Sequence, residues 1–292
     1  LGTGVETIAG SAMMQLGNTS LWLPDSVTTV GSSAFSNCTS LTYAKLSAGM
    51  KSVPDSMFGF DTNLVTVVLP EGITRIEDTV FLYCALDRFT IPSTLTYIGT
   101  AAFSGCSNLN EFIVEEGNNY FKAINGALFS LDGTHLISYP SGRSGNYTVP
   151  EGTKYIDYGA FRSANKLYRV YFPSTLTEIG KYAFSYCANL AAVDFPSNIT
   201  SIRDSAFRSC TSLSSIVFHN QSVRLESNVF TDCRALRSIN LPSKLTEIPS
   251  GLLDGCRSLQ SIYIPTTVTK IGSCAFYDCD GLVSVTIPGS VR

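Results

Sequence analysis

Nine cysteines and two histidines are the side chains of this 292-residue chain with the most chemistry to offer. Cys187, Cys210, Cys233, Cys256 and Cys279 each stand 23 residues apart. Cys38 and Cys84 are 46 apart with Asp61 in the slot between them, Cys106 follows 22 after Cys84, and Ala164 fills the slot before Cys187. Thiols can ligate metals, pair as disulfides, attack substrates or simply pack. Zinc sites usually draw ligand pairs about two to four residues apart, whereas the closest cysteines here are Cys274 and Cys279, with only His135 and His219 to help. Two histidines also restrict acid–base catalysis. His219 takes a slot otherwise held by proline, and His135 reads as an exposed loop residue. No phosphate loop, nucleophile elbow or metal motif is present, so no cofactor and no catalytic residue is expected.

Composition narrows the function classes further. A hydrophobic share of 44%, with 17 Phe and 14 Tyr, is enough for a continuous core and argues against disorder. Twenty Lys+Arg against 23 Asp+Glu leave a net charge of -3 without a basic face, which disfavours a nucleic-acid partner. No apolar run reaches the roughly 20 residues that span a bilayer, and the first residues lack the regions of a signal peptide.

The cysteine spacing belongs to a longer pattern. Three residues before each slot stands Phe35, Phe58, Phe81, Phe103, Phe161, Phe184, Phe207, Phe230, Leu253 or Phe276, and an aliphatic residue precedes that by five, from Val30 to Ile271. After each slot comes an L-x-x-V-x-I segment, such as Leu236, Ile239 and Leu241, whose alternation signals a short strand, usually closed by proline. One unit cannot bury its own apolar face, but stacked units bury a shared one. Ten units in phase therefore predict a solenoid with parallel strands on one side and turns on the other.

The pattern IP-x-x-[VL]-T-x-IG-x-x-AF-x-x-C-x-x-L-x-x-[VI]-x-[IFL] resembles the BspA-like (Treponema pallidum-class) leucine-rich repeat of bacterial surface proteins. The expected fold is a leucine-rich-repeat solenoid, a right-handed superhelix of 23-residue repeats. It has short parallel strands on the concave face, with turns and short helical segments on the convex side; a parallel β-helix is the alternative. The resemblance implies a secreted or cell-surface, non-catalytic module that recognises a host or neighbouring-cell protein or glycan. The second reading is an architectural spacer within a larger surface protein. Residues 1–292 are expected to form one domain whose two ends stop within repeats, the signal peptide lying outside this stretch.

Within such a stack, Cys38, Cys84, Cys106, Cys187, Cys210, Cys233, Cys256 and Cys279 read as a structural ladder of buried thiols, because Asp61 and Ala164 can take the same slot. Disulfides between rungs are disfavoured, since parallel Cβ vectors about 4.8 Å apart exceed the roughly 3.8 Å a relaxed disulfide prefers. Cys274 is out of phase and is the thiol expected to be exposed.

Strand alternation puts two columns of side chains on the open face, one through Arg88, Glu111, Arg169 and Ser215, the other through Thr90, Ile113, Tyr171 and Asp194. Glu111 and Asp194 are the only acids in them. Three rungs separate the two, roughly 14 Å at strand spacing, beyond the roughly 5–9.5 Å of glycosidase carboxylates. Between Cys106 and Ala164 the repeat is enlarged, and an insert at about 115–150 reads as a β-hairpin around Leu131-Asp132-Gly133. Insertions in solenoids tend to flank binding surfaces. Arg88, Glu111, Arg169 and Tyr171, with Tyr120, Tyr139 and Tyr147 of the insert, are accordingly the candidate binding residues, tyrosine and arginine being favoured at interfaces. Five N-x-S/T sequons, at Asn18, Asn37, Asn146, Asn198 and Asn220, would matter in a eukaryotic secreted protein; in a bacterial one, the favoured reading, they reflect turns rich in Ser, Thr and Asn.

Overall fold

The computed structural model describes residue 2 and residues 4–292. It is a parallel β-solenoid of about 12 turns, divided into two compact units: Leu1–Asp132 with Ile137–Arg143, and Gly133–Leu136 with Ser144–Arg292. Each unit carries two parallel strips of strand, a long one of mostly three or four residues per rung and a short one of two.

In the first unit, Ser20–Trp22, Tyr43–Lys45 and Thr66–Val68 align in register, Ser20 opposite Tyr43 opposite Thr66. Arg88–Ile91 pairs with Glu111–Val114 in the same sense. The short strip runs through Ser52–Val53, Arg75–Ile76 and Tyr97–Ile98. In the second unit the long strip stacks Gly145–Thr148, Leu167–Tyr171, Ala192–Phe195 and Ser215–Phe218. Its short strip joins His135 and Leu136 to Tyr155–Ile156, Glu178–Ile179, Ser201–Ile202 and Arg224–Leu225. The aliphatic second residue of these short strands, as at Val53, Ile76, Ile156, Ile179, Ile202 and Leu225, is buried, and a two-residue strand suffices to point it inward.

The phenylalanines three residues before the slots form a spine in each unit. Phe35, Phe58, Phe81 and Phe103 stack at 5.3–6.1 Å between centroids in the first. Phe161, Phe184, Phe207 and Phe230 do so at 4.5–5.8 Å in the second. Rings repeated at this separation bury large apolar areas and gain from offset stacking. The prolines that close the strands open the next turn: the carbonyls of Pro173 and Pro196 accept the N–H of Leu176 and Ile199 at 3.2 Å, a use that does not need the missing proline N–H.

The short helical segments expected on the turn side are not formed: the described residues contain no helix. The hydrogen bonds explain why. Around Phe207, alternate N–H groups leave the turn and bond to the next rung: Ser205 to Ser227, Phe207 to Val229 and Ser209 to Thr231, at 2.7–3.0 Å. Those between them close tight turns: Ala206 to Arg203, Arg208 to Ser205 and Cys210 to Phe207. An α-helix would need every N–H directed along one axis to the fourth residue back. Ser205 and Ser209, at φ 56° and 59°, also sit in the left-handed region, and the same pair of positions recurs in other rungs, as at Tyr182 and Tyr186. The apolar A-F-x-x-C spacing thus serves a flat turn, not a helical face.

Within the insert, Phe121–Ile124 pairs antiparallel with Ala127–Ser130. Asn125 and Gly126 make the turn, at φ 49° and 72°, the two positive values that a type I′ hairpin requires. A second turn occupies residues 131–132, before Gly133.

Candidate functional site

The ladder cysteines are held by a single repeated contact. The thiols of Cys84, Cys187, Cys210, Cys233 and Cys256 donate to the carbonyls of Phe58, Phe161, Phe184, Phe207 and Phe230, one rung earlier, at 3.0–3.4 Å. Cys106 donates to Phe81 and Cys279 to Leu253 in the same way. Cys38, whose thiol reaches Met13, begins the series. Burial pushes the Cys106 and Cys187 thiols up to about 12 and that of Cys279 to about 11. At neutral pH such thiols are protonated donors, and the thiolate that nucleophilic or metal chemistry needs is scarce. Cys274, out of phase, is exposed.

Asp61 occupies its slot with 0% exposure. Its Oδ1 accepts the N–H of Cys38 at 2.7 Å, while Oδ2 has no hydrogen-bond partner. Burial raises its carboxyl to about 8, against the pull of the Cys38 and Asn37 N–H groups.

The strand faces carry the other candidate residues. In the first unit Arg88 and Glu111 face each other in register and form an ion pair at 3.3 Å. Tyr120 stands out of the surface, 53% exposed. Tyr139, at 3% exposure, is buried and offers no surface to a partner. In the second unit Tyr147 is likewise buried, its ring 5.8 Å from Phe161.

Arg169 and Tyr171 both point outward from Leu167–Tyr171, with the guanidinium 5.9 Å from the Tyr171 ring centroid. Tyr168, on the same strand, is 54% exposed, a result of the double outward step in this strand's burial pattern, which simple alternation hides. Arg169 has no carboxylate partner among the described residues, unlike Arg88. One rung on, Asp194 pairs with His219 at 2.9 Å, and in the rung after that the exposed Val217 stands opposite Asp194 in register. Glu111 and Asp194, the two acids of the face, are therefore each engaged by a side chain of their own unit, Arg88 and His219.

His135 was read from the sequence as a loop residue, and the structure places it in the short strip, opposite Tyr155 in register. Its ring stacks on Tyr155 at 4.4 Å, and its Nδ1 lies 2.8 Å from Asp157 Oδ1. No periodic signal marks this pair, because the enlarged repeat breaks the 23-residue count on one side of it. Among the described residues no group of three or more His, Cys, Asp and Glu is placed to hold a metal ion, and no helix is long and apolar enough to cross a membrane.

Comparison with known proteins places this architecture. A leucine-rich cell surface protein from Faecalibacterium prausnitzii A2-165 is 29% identical, with a TM-score of 0.66 over 95% of this chain and 82% of that one. A leucine-rich repeat protein from Bacteroides ovatus is 26% identical, with a TM-score of 0.63 over 99% and 72%. The pneumococcal vaccine antigen PcpA, 20% identical, shares the fold with a TM-score of 0.75 over 98% and 78%. Comparison with curated protein sequences gives no match. The model of the BspA type leucine-rich repeat region matches six copies, over residues 1–123, 141–258 and 247–292. With that match over most of its length, this chain belongs to the BspA-type leucine-rich repeat family.

Proposed function

We propose that this chain is a non-catalytic, cell-surface or secreted recognition module that binds a protein or glycan of a host or neighbouring cell through its open strand face. The observation that carries the reading is the outward cluster of Tyr168, Arg169 and Tyr171 on one rigid strand. Arg169 lies near an aromatic ring with no carboxylate to satisfy it, and it borders the low side chains of Ala192 and Ser215, which leave room for a ligand to approach. Arginine and tyrosine at such a point supply large contact area with little conformational entropy to lose. Interfaces of ordinary size bury about 1,600 Å² in total, which several rungs of strand face can provide. Tyr120, exposed on the first unit, is a separate candidate contact of that unit. The surface location follows the printed description of the Faecalibacterium prausnitzii relative as a cell surface protein.

The test is a screen of the purified chain against extracellular-matrix proteins and a glycan array, beside an Arg169→Glu/Tyr171→Ala double variant. Binding that disappears in the variant supports this site. Binding unaffected by it refutes the assignment to these residues, and absence of any binding favours a spacer that displays other parts of a longer protein.

A further inference from the structure

The short strip of the second unit contains a notch. The residue following the strip's aliphatic is Asp157, Gly180, Arg203 and Glu226 in four successive rungs. A Cβ at Gly180 would lie 2.7 Å from the Ile156 carbonyl oxygen and 3.0 Å from the Tyr158 nitrogen. Both are backbone atoms, so the backbone contact keeps this position free of a side chain. Beside this close backbone approach lies a cavity of about 390 Å³, walled by Tyr155, Asp157, Tyr158, Glu178, Lys181 and Arg203.

The charges in this notch are unequally satisfied. Arg203 is held from both sides, by Glu178 Oε2 and by Glu226 Oε1, each at 2.9 Å. Lys181 pairs with Asp204 at 3.4 Å. The two cations are therefore spent on carboxylates of the rungs themselves. Asp157 gives Oδ1 to His135, and Glu178 gives Oε2 to Arg203. Asp157 Oδ2 and Glu178 Oε1 receive no hydrogen bond among the described residues. Burial and, less strongly, the neighbouring Glu178 charge push the Asp157 carboxyl up, against the pull of His135. Two adjacent carboxylates thus each keep an acceptor unused, in a recess whose aromatic wall is fixed by the stacking of Tyr155 on His135 at 4.4 Å.

We infer that this notch binds a primary ammonium group on an apolar stem, as in a lysine side chain, with the nitrogen donating to Asp157 Oδ2 and Glu178 Oε1 and the methylenes lying along Tyr155 and Tyr158. An ammonium has three donors to distribute and no acceptor to leave unpaired. Tyrosine faces attract a cation, and the alkyl stem of lysine packs against apolar surface while its head remains charged. A divalent metal is poorly matched, because no third ligand converges here. An anion would meet the two free carboxylate oxygens. The site lies on the short strip, apart from the outward cluster of Leu167–Tyr171, and is independent of the reading proposed for that cluster.

The experiment is a titration of the whole chain with Nα-acetyl-lysine N-methylamide, followed by amide NMR shifts. Its Nε-acetylated counterpart and putrescine serve as the comparison probes. Saturable shifts centred on Tyr155, Gly180 and Lys181, lost when Nε is acetylated, are the expected result. Asp157→Asn and Glu178→Gln should each weaken binding about tenfold, the effect of removing one charge-assisted hydrogen bond, with thermal melts reporting that each variant is folded. Arg169→Glu/Tyr171→Ala should leave it unchanged. Equal binding of the acetylated probe, undiminished binding in both folded carboxylate variants, or absence of saturable shifts would overturn the inference. Tighter binding of putrescine than of the lysine amide would overturn the lysine-like stem and point to a free amine.

Discussion

Replacing Asp61 with asparagine should stabilise the protein at alkaline pH and leave it nearly unchanged below about pH 4. Asp61 is the one acid in the thiol ladder, fully buried, with Oδ1 on the Cys38 N–H and Oδ2 unpartnered. In neighbouring rungs the same slot donates to a phenylalanine carbonyl. A protonated carboxyl or an asparagine amide can donate there; a carboxylate cannot. Burial raises the carboxyl from 3.8 to about 8 in the folded chain. The unfolded chain therefore releases this proton at lower pH than the folded one does. Stability from Asp61 is complete below about pH 4, declines as pH rises, and is lost by about pH 8.

At about 1.4 kcal/mol per tenfold change in proton affinity, the loss between about pH 5 and pH 8 is at most about 4 kcal/mol. Relaxation and water entry around a buried charge lower such penalties, so about 2–4 kcal/mol is expected, or roughly 5–10 °C in Tm for a chain of this size. The assay is thermal or urea unfolding of both proteins at a series of pH values and fixed ionic strength. Taking the difference between them cancels the other titrating groups. A difference that does not change from about pH 5 to pH 8 would refute the reasoning, because it would mean that Asp61 ionises in the folded state as it does in the unfolded one.

Three further outcomes follow from the same packing. Phe207→Ala, which removes a fully buried ring stacked between Phe184 and Phe230, should cost about 3–5 kcal/mol in urea unfolding; a loss under about 1 kcal/mol would show that the spine re-closes around the gap. Alkylation followed by mass spectrometry should label Cys274 first, with Cys279 slower and the seven buried cysteines protected until the chain unfolds; early labelling of Cys187 or Cys210 would contradict a closed ladder. Gly126→Ala should destabilise by about 1–2 kcal/mol, since an alanine Cβ is disfavoured at φ 72°. Asn125→Gly, which needs no new side-chain space, should stay within about 0.5 kcal/mol in the same measurement.

Much of the long-strip register was legible in the sequence because a period counted in residues is also a distance in space. If Phe184, Phe207 and Phe230 recur every 23 positions and each must be buried, they can only lie one above another. The cysteines fall into a column for the same reason, and Cys274, off the period, falls outside it. The turn side was not legible. A-F-x-x-C is spaced as one face of a helix would be, and only the inter-rung bonds of residues such as Ser205, Phe207 and Ser209 show that alternate N–H groups run along the stack. The second strip of two-residue strands was missed because two residues are too few to show alternation. The exposure of Tyr168 beside Arg169, both outward on one strand, breaks the alternation from which the columns were counted.

By itself, then, the sequence determined the repeat, the rung-to-rung columns and the residues that must face inward, since burial of a shared apolar face leaves a periodic chain no other solution. Tertiary structure alone decided the rest, because each of these depends on neighbours that no period records. It paired Arg88 with Glu111 and left Arg169 unpaired, buried Tyr139 and Tyr147, and brought His135 from the insert onto Asp157. It also set Asp157, Glu178, Tyr155 and Tyr158 around one cavity, since residues of successive rungs meet only when those rungs are held one strand spacing apart.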